Sequence, residues 1–284
     1  MGLVDYLRKE IRKSGYPLEI EISSMLDKKW EEVVNTDSYY DNDEGKTRDI
    51  DISARRYYEF LSGSLLLTVN LTVECKKSEN SAWVFFSRPF KYGLFEVDGQ
   101  YVDGIQALTK NLDNTTNMEL ILSASKLHYS RIKKAARCFA EFHYQGKKSE
   151  NDGKKEIFEA ENQIKKYISY TNEKILTGNA PVTIDFHFPC IVFDGEMFEA
   201  QIRGKRLTLK KVQHVLLSAS QPSQYSQWDR AFLIDIVHKS FFKPFLIDID
   251  NSIKSLKAAV KRKATKIADN IDNTQQSLPQ KRSV

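Results

Sequence analysis

The chain has 284 residues, enough for one large domain whose core needs no disulfide or metal staple. Apolar residues make up 41% and charged residues 29%, which excludes collagen-like, low-complexity and wholly disordered classes. The net charge is +5, but residues 254–284 hold eight Lys/Arg against two Asp and so carry +6, leaving −1 for the rest. A uniformly basic nucleic-acid coat is therefore excluded, and any basic surface must be a local patch or the C-terminal stretch itself.

Three cysteines, Cys75, Cys138 and Cys190, are odd in number and lack CxxC spacing. They define neither a disulfide framework nor a zinc site, and they fit a reducing, cytoplasmic setting. The N-terminal MGLVDYLRKEIRKSG has no apolar run of signal-peptide type, and Tyr6 stands where a myristoylation signal wants Ser or Thr. No apolar stretch is long enough to span a bilayer, so no membrane partner is expected.

In chain order, residues 3–12 have the spacing of a short amphipathic helix. Residues 17–34 read as a second helix of uncertain start, and 36–46 as a strand end or hairpin loop. Residues 48–54 (RDIDISA) alternate, with Asp49, Asp51 and Ser53 on one face and Ile50, Ile52 and Ala54 on the other. Residues 65–76 (LLLTVNLTVECK) alternate throughout, so Thr68, Asn70, Thr72, Glu74 and Lys76 share one face and Leu65 to Cys75 the other. WVFF (83–86) reads as a buried strand. Helical spacing is predicted over 129–143, a polar loop over 145–155 and a long helix over about 156–175. Residues 182–193, 197–202 and 231–238 read as strands, and 245–262 as a last helix. From about 264 the chain is polar and is predicted to be disordered. The expected organisation is a single domain over 1–260 with elaborations after residue 90, followed by a basic, disordered tail over 261–284. The fold class is α/β, or mixed α+β: a central mixed sheet flanked by helices, with a C-terminal extension.

The residues that carry chemistry lie on the two alternating strands. Hydrolysis of a phosphodiester at neutral pH calls for a hard cation, carboxylate oxygens to hold it, and a group that acts on the attacking water or the developing charge. Period-two geometry puts Glu74 and Lys76 on one face about 6–7 Å apart. An Asp on the neighbouring strand completes the set from the side. Apolar strands whose polar face ends in charges imply a charged cleft at one end of a sheet, because such charges are costly to bury unless paired or metal-bound.

The run SGYPLEIEISSML…KWEEV…YYDNDEGKTRDIDISA…LTVECKKS resembles the PD-(D/E)XK, or restriction-endonuclease-like, nuclease superfamily over about residues 14–90. The resemblance implies an α-β-β-β-α-β core, with Asp51 (in Arg48-Asp49-Ile50-Asp51) and Glu74-Cys75-Lys76 as its acidic and basic residues. It also implies an acid from the first helix, Glu19 or alternatively Glu21. It implies a DNA hydrolase that uses Mg²⁺, with Mn²⁺ as a substitute, in restriction, repair or anti-phage defence. Asp51, Glu74 and Glu19 would hold the metal, and Lys76 would position or activate water. Lys77 and Arg88 are candidate phosphate contacts. DNA is the expected partner, together with a second copy of the chain or a protein that supplies targeting.

Each assignment has a plainer counterpart. Asp51, Glu74 and Lys76 could form a cross-strand ion pair on a solvated face, or the fold could be a catalytically inactive nucleic-acid-binding or assembly module. Asp49 reads as a surface or supporting acid. His128, His143, His187, His214 and His238 show no paired spacing and read as structural. Arg55-Arg56-Tyr57-Tyr58 mixes charge and rings as nucleic-acid surfaces do, or it caps a hairpin.

Overall fold

The computed structural model describes residues 2–89, 96–97, 100–101, 107–109, 127–143, 155–177, 182–221 and 230–277. Two short helices come first, α1 (Leu3–Lys13) and α2 (Tyr16–Leu26). The strands β1 (Glu32–Asp41), β2 (Lys46–Phe60) and β3 (Leu65–Pro89) follow as an antiparallel meander. Short strands β4 (Glu96–Val97), β5 (Gln100–Tyr101) and β6 (Ala107–Thr109) lead to α3 (His128–Arg131) and β7 (Lys134–His143). The long helix α4 (Lys155–Thr177) precedes β8 (Val182–Arg203), β9 (Arg206–Lys211), β10 (His214–Gln221) and β11 (Arg230–His238). Helix α5 (Phe242–Ser277) ends the described chain, and none of the described helices is long and apolar enough to cross a membrane.

The result is a mixed α/β fold: a nine-stranded sheet of parallel and antiparallel pairs, flanked by helices. Strand β8 runs parallel to β3 along nearly its whole length, from Leu65↔Val182 to Phe86↔Ala200. Because β3 also pairs β7, β7 pairs β10, β10 pairs β11 and β11 pairs β8, these five strands close a ring of pairings.

Two apolar layers sandwich the sheet. On one side, Leu65 to Cys75 of β3 and Phe186 to Val192 of β8 meet Leu18, Ile22 and Leu26 of α2 and a stripe of α5 running from Phe242 to Ile267. On the other, Trp83, Phe85, Ile191 and Phe193 meet Ile157, Ala160, Ile164 and Ile168 of α4. Each fully buried large aliphatic or aromatic side chain contributes about 1.5–3 kcal/mol relative to exposure, so these stripes are what hold α4 and α5 to the sheet.

Where β3 and β8 change register, between Lys77 and Ala82, a glycine is required. A Cβ on Gly195 would collide with the Phe193 ring and lie 2.8 Å from the Ser78 carbonyl oxygen. Phe193 in turn stacks on Trp83 at 3.8 Å.

Several elements differ from the sequence reading. The helix expected over 17–34 stops at Leu26, and Glu32-Val33-Val34 starts β1 instead. The strands over 65–76 and 83–86 are one, as are those over 182–193 and 197–202. Residues 129–143 are not a helix: one turn, α3, gives way to β7. Its apolar residues sit at helical spacing, yet Ala135 and Ala136 face opposite layers once β3 and β10 claim the backbone. Helix α5 continues to Ser277, and Ala264 and Ile267 are buried, so the chain stays ordered well past 264. Most of the +6 charge therefore lies on a packed helix. The loop expected over 145–155 and the last residues, 278–284, lie outside the described set, save Lys155, which starts α4.

Candidate active site

The cleft forms where strand pairing fails on both sides of one residue. The β2–β3 ladder ends at Ile52↔Val73. Beyond it the strands part, and β3 from Glu74 to Lys77 continues paired only with β8. The side chains of the two facing acids occupy the vacated ladder positions. Asp51 Oδ2 accepts the Cys75 N–H at 2.7 Å, and Glu74 Oε1 accepts the Asp51 N–H at 3.4 Å. On the other flank, Asn35↔Ile52 and Asp37↔Ile50 pair, while Thr36 between them takes φ +56°. That is an uncommon, strained conformation for a β-branched residue. The strand also rotates here. Ile52 packs in the α2/α5 layer and Ile50 in the α4 layer, so the strict alternation read from RDIDISA breaks at Asp51.

The fork opens into a cleft of about 480 Å³ lined by Gly15, Tyr16 and Glu19 of the α1–α2 corner, Thr36 of β1, Lys46 to Asp49 and Asp51 of β2, and Gln163 of α4. Glu74 lies behind Asp51 with no exposure, and Lys76 is partly open, its ammonium 2.7 Å from Glu74 Oε2. Helix α4 is held over the cleft by polar contacts with the β1–β2 hairpin. Lys166 meets Asp41 at 2.7 Å, and Tyr167 donates to Asp37 at 2.5 Å while accepting from Arg55 at 3.0 Å.

The acids crowd one another. Burial, then Asp51, raises the pKa of Glu19, against Lys76. Burial raises that of Asp51, opposed by Lys76 and the Cys75 N–H. Burial pushes Glu74 up to about 7 despite Lys76, with Asp51 adding to the rise. Burial works against the Lys76 ammonium, but Glu74 and Asp51 outweigh it and hold its pKa above the usual lysine value. Three acids against one lysine leave a deficit of positive charge, and an oxygen-only donor set with that deficit fits a hard divalent cation such as Mg²⁺. The three acids do not converge as tightly as a finished cage. Among the described residues, His128, His214 and Asp235 are the set of three whose ligand atoms all lie within 4.8 Å of one another.

The structure therefore brings Glu19, Asp51, Glu74 and Lys76 together. It places Glu19 rather than Glu21 at the cleft: Glu19 lines it, while Glu21 is exposed outside the lining. Asp49 lines the rim, exposed, with its carboxylate held by Ser38 at 2.6 Å. Lys77 turns away and donates to the Arg12 carbonyl at 2.5 Å. Arg88 stands exposed near the far end of β3, beyond the irregularity. The face of β3 that carries Thr68, Asn70, Thr72 and Glu74 is buried, so the plainer alternative of an ion pair on a solvated face does not describe Glu74. Arg55 bonds Glu32 at 2.9 Å, and Arg56 sits over the Trp30 ring and pairs with Asp250 at 2.9 Å, so that basic-aromatic run is internal scaffolding.

Sequence reasoning missed Gln163, whose amide reaches the Asp49 carbonyl at 3.4 Å. It also missed Glu156, a half-buried acid whose pKa is raised by burial and Glu141 and opposed by Lys76. Both lie on α4, and helical spacing alone could mark only that helix's apolar face. No protein family, no curated protein and no solved structure matches the chain.

Proposed function

We propose that this chain is a Mg²⁺-dependent deoxyribonuclease of the restriction-endonuclease-like type, with Glu19, Asp51, Glu74 and Lys76 as its active centre. One observation carries the reading: the facing acids Asp51 and Glu74 replace the backbone ladder at a strand fork, beside an ammonium held 2.7 Å from Glu74. No fold-stabilising need accounts for three acids whose pKa values all stand above their ordinary range.

Asp51, Glu74 and Glu19 would hold Mg²⁺, or Mn²⁺ in its place, and the ion would supply polarisation of the phosphate and a more acidic bound water. Asp51 keeps Oδ1 for that role, since Oδ2 is spent on the Cys75 N–H. Lys76 sits where an ammonium can orient the attacking water and offset the charge that builds on the phosphorane oxygens. Gln163 closes the cleft from above and offers an amide to the substrate strand. A non-catalytic nucleic-acid-binding module is the second reading. It is favoured by the direct Lys76–Glu74 ion pair, which engages the lysine that the chemistry needs.

Incubating the protein with supercoiled and linear plasmid, in Mg²⁺ or EDTA, beside Asp51→Asn tests both. Cleavage by the wild type in Mg²⁺ alone supports the enzyme. DNA binding without cleavage supports the module, and neither result leaves both readings without support.

A further inference from the structure

Outside the cleft, three side chains from distant parts of the chain meet on β10, β11 and α3. His214 Nε2 lies 2.7 Å and His128 Nε2 2.9 Å from the same oxygen, Asp235 Oδ1. Asp235 is wholly buried, His128 nearly so, and the His214 side chain keeps 22% of its surface open. As a set of hydrogen bonds this is lopsided. One carboxylate oxygen takes both imidazole N–H groups, while the neighbouring Tyr129 hydroxyl is buried against the same carboxylate.

We propose that His128, His214 and Asp235 form a binding site for one transition-metal ion of the Zn²⁺ class, ligated by the two Nε2 atoms and Oδ1. Zn²⁺ bonds imidazole nitrogen and carboxylate oxygen at about 2.0–2.2 Å in tetrahedral geometry, so its neighbouring ligand atoms stand roughly 3.4 Å apart. The two imidazole nitrogens stand 2.7 and 2.9 Å from Oδ1, and all three atoms lie within 4.8 Å of one another, so an ion entering between them would spread the nitrogens away from the carboxylate oxygen. Two imidazoles with one carboxylate select Zn²⁺, Fe²⁺, Co²⁺ or Ni²⁺ over Mg²⁺, which prefers oxygen alone. The surroundings supply the outer layer that such sites need. The His128 backbone N–H donates to Ser252 Oγ at 2.7 Å, and its Nδ1 faces Asp248 at 4.0 Å, which Arg131 holds at 3.1 Å. Phe245 flanks both imidazoles and Phe241 stacks on His214, forming an apolar wall. Three protein ligands leave a position for water, and the open edge of His214 gives the ion its way in. Bound there, the ion would cross-link α3 to the β10–β11 hairpin beneath α5.

The site is independent of the nuclease reading, and its test separates the two. Untagged full-length protein, stripped with EDTA and dialysed, is titrated with Zn²⁺, and with Co²⁺ as a spectroscopic probe. Metal content and thermal midpoint are recorded in parallel. The expected result is one ion per chain, visible Co²⁺ d–d absorption and a raised midpoint, undisturbed by millimolar Mg²⁺. His214→Ala, at the open edge, should lose affinity by more than the 10–100-fold typical of outer-layer changes while keeping its circular dichroism. His214→Cys should restore Co²⁺ binding with a thiolate charge-transfer band, and Asp51→Asn should bind as the wild type does. Equal Zn²⁺ uptake by wild type and His214→Ala, loss of uptake in Asp51→Asn instead, or no uptake at all would overturn the proposal.

Discussion

The fork of β2 and β3 and the cluster on β10 and β11 each bury a carboxylate completely, Glu74 and Asp235, and the two respond to protons in opposite directions. Glu74 shares its surroundings with Asp51 and one lysine, and burial pushes its pKa up to about 7. Asp235 is buried as deeply, yet His128 and His214 overcome that burial and hold its pKa far below the carboxylate range. The difference lies in the neighbours rather than in depth. Buried acids without enough positive charge store unfavourable energy that a cation or substrate can release. A buried acid flanked by two imidazoles already has its charge offset and acts as a tie.

Replacing acid by amide at each place gives the largest contrast. Asp51→Asn should take cleavage below detection and weaken Mg²⁺ binding, with a thermal midpoint unchanged or raised, because the lost charge was a crowded one. Asp49→Asn, whose carboxylate only meets Ser38, should cleave nearly as well as the wild type. Equal losses in the two would place the site on the wrong residue of β2. Asp235→Asn should do the reverse: cleavage per folded molecule persists, and stability falls by about 3–5 kcal/mol, as when one partner of a buried charge cluster is removed. Denaturant unfolding measures it, and a cost near zero would show the cluster to be no tie at all.

Lys76 and Lys77 form the next control. Lys76→Ala should slow single-turnover cleavage at saturating Mg²⁺ by about 10²–10³ or more, the usual effect of removing a preorganised charge at a reacting phosphate. Lys77→Ala loses a contact with the α1 backbone and should be nearly silent. Similar modest losses would reduce residues 74–77 to a charged strand end.

The pH dependence is a smaller effect with a definite sign. Because Glu74 holds its proton more tightly folded than unfolded, its contribution favours the fold below pH 4.5 and is lost as pH rises to about 7. Melting in EDTA should therefore fall across that window, and Mg²⁺ should recover the loss at pH 8 by binding the ionised form. His128, raised by Asp235, loses its own contribution as pH rises past 6.5, so Glu74→Gln should flatten the lower part of the slope and keep the upper. A profile unchanged in Glu74→Gln would remove Glu74 as the titrating group.

The smallest effect is expected at the C-terminus. Residues 268–284 hold two basic and two acidic side chains, so deleting them should leave the salt dependence of DNA binding unchanged. Deletion from 261 removes the buried Ala264 and Ile267 and should lower the melting temperature. A salt slope that changes in the shorter deletion would return the last residues to the binding surface.

What the sequence determined by itself was local. Alternation over 65–76 and 48–54 placed Glu74, Lys76 and Asp51 on adjacent strands, because a strand's period and the short connection to its neighbour are properties of nearby residues. The apolar stripe of α4 was legible for the same reason. Tertiary structure decided the rest. Whether 129–143 became helix or strand depended on the free edges of β3 and β10, and whether Ile50 followed Ile52 depended on the fork at Asp51. Gln163 reached the cleft only through the docking of α4 on the β1–β2 hairpin. The meeting of residues 128, 214 and 235 had no periodicity to announce it. Contacts between distant segments are set by how layers pack and strands close, and spacing along the chain does not record that.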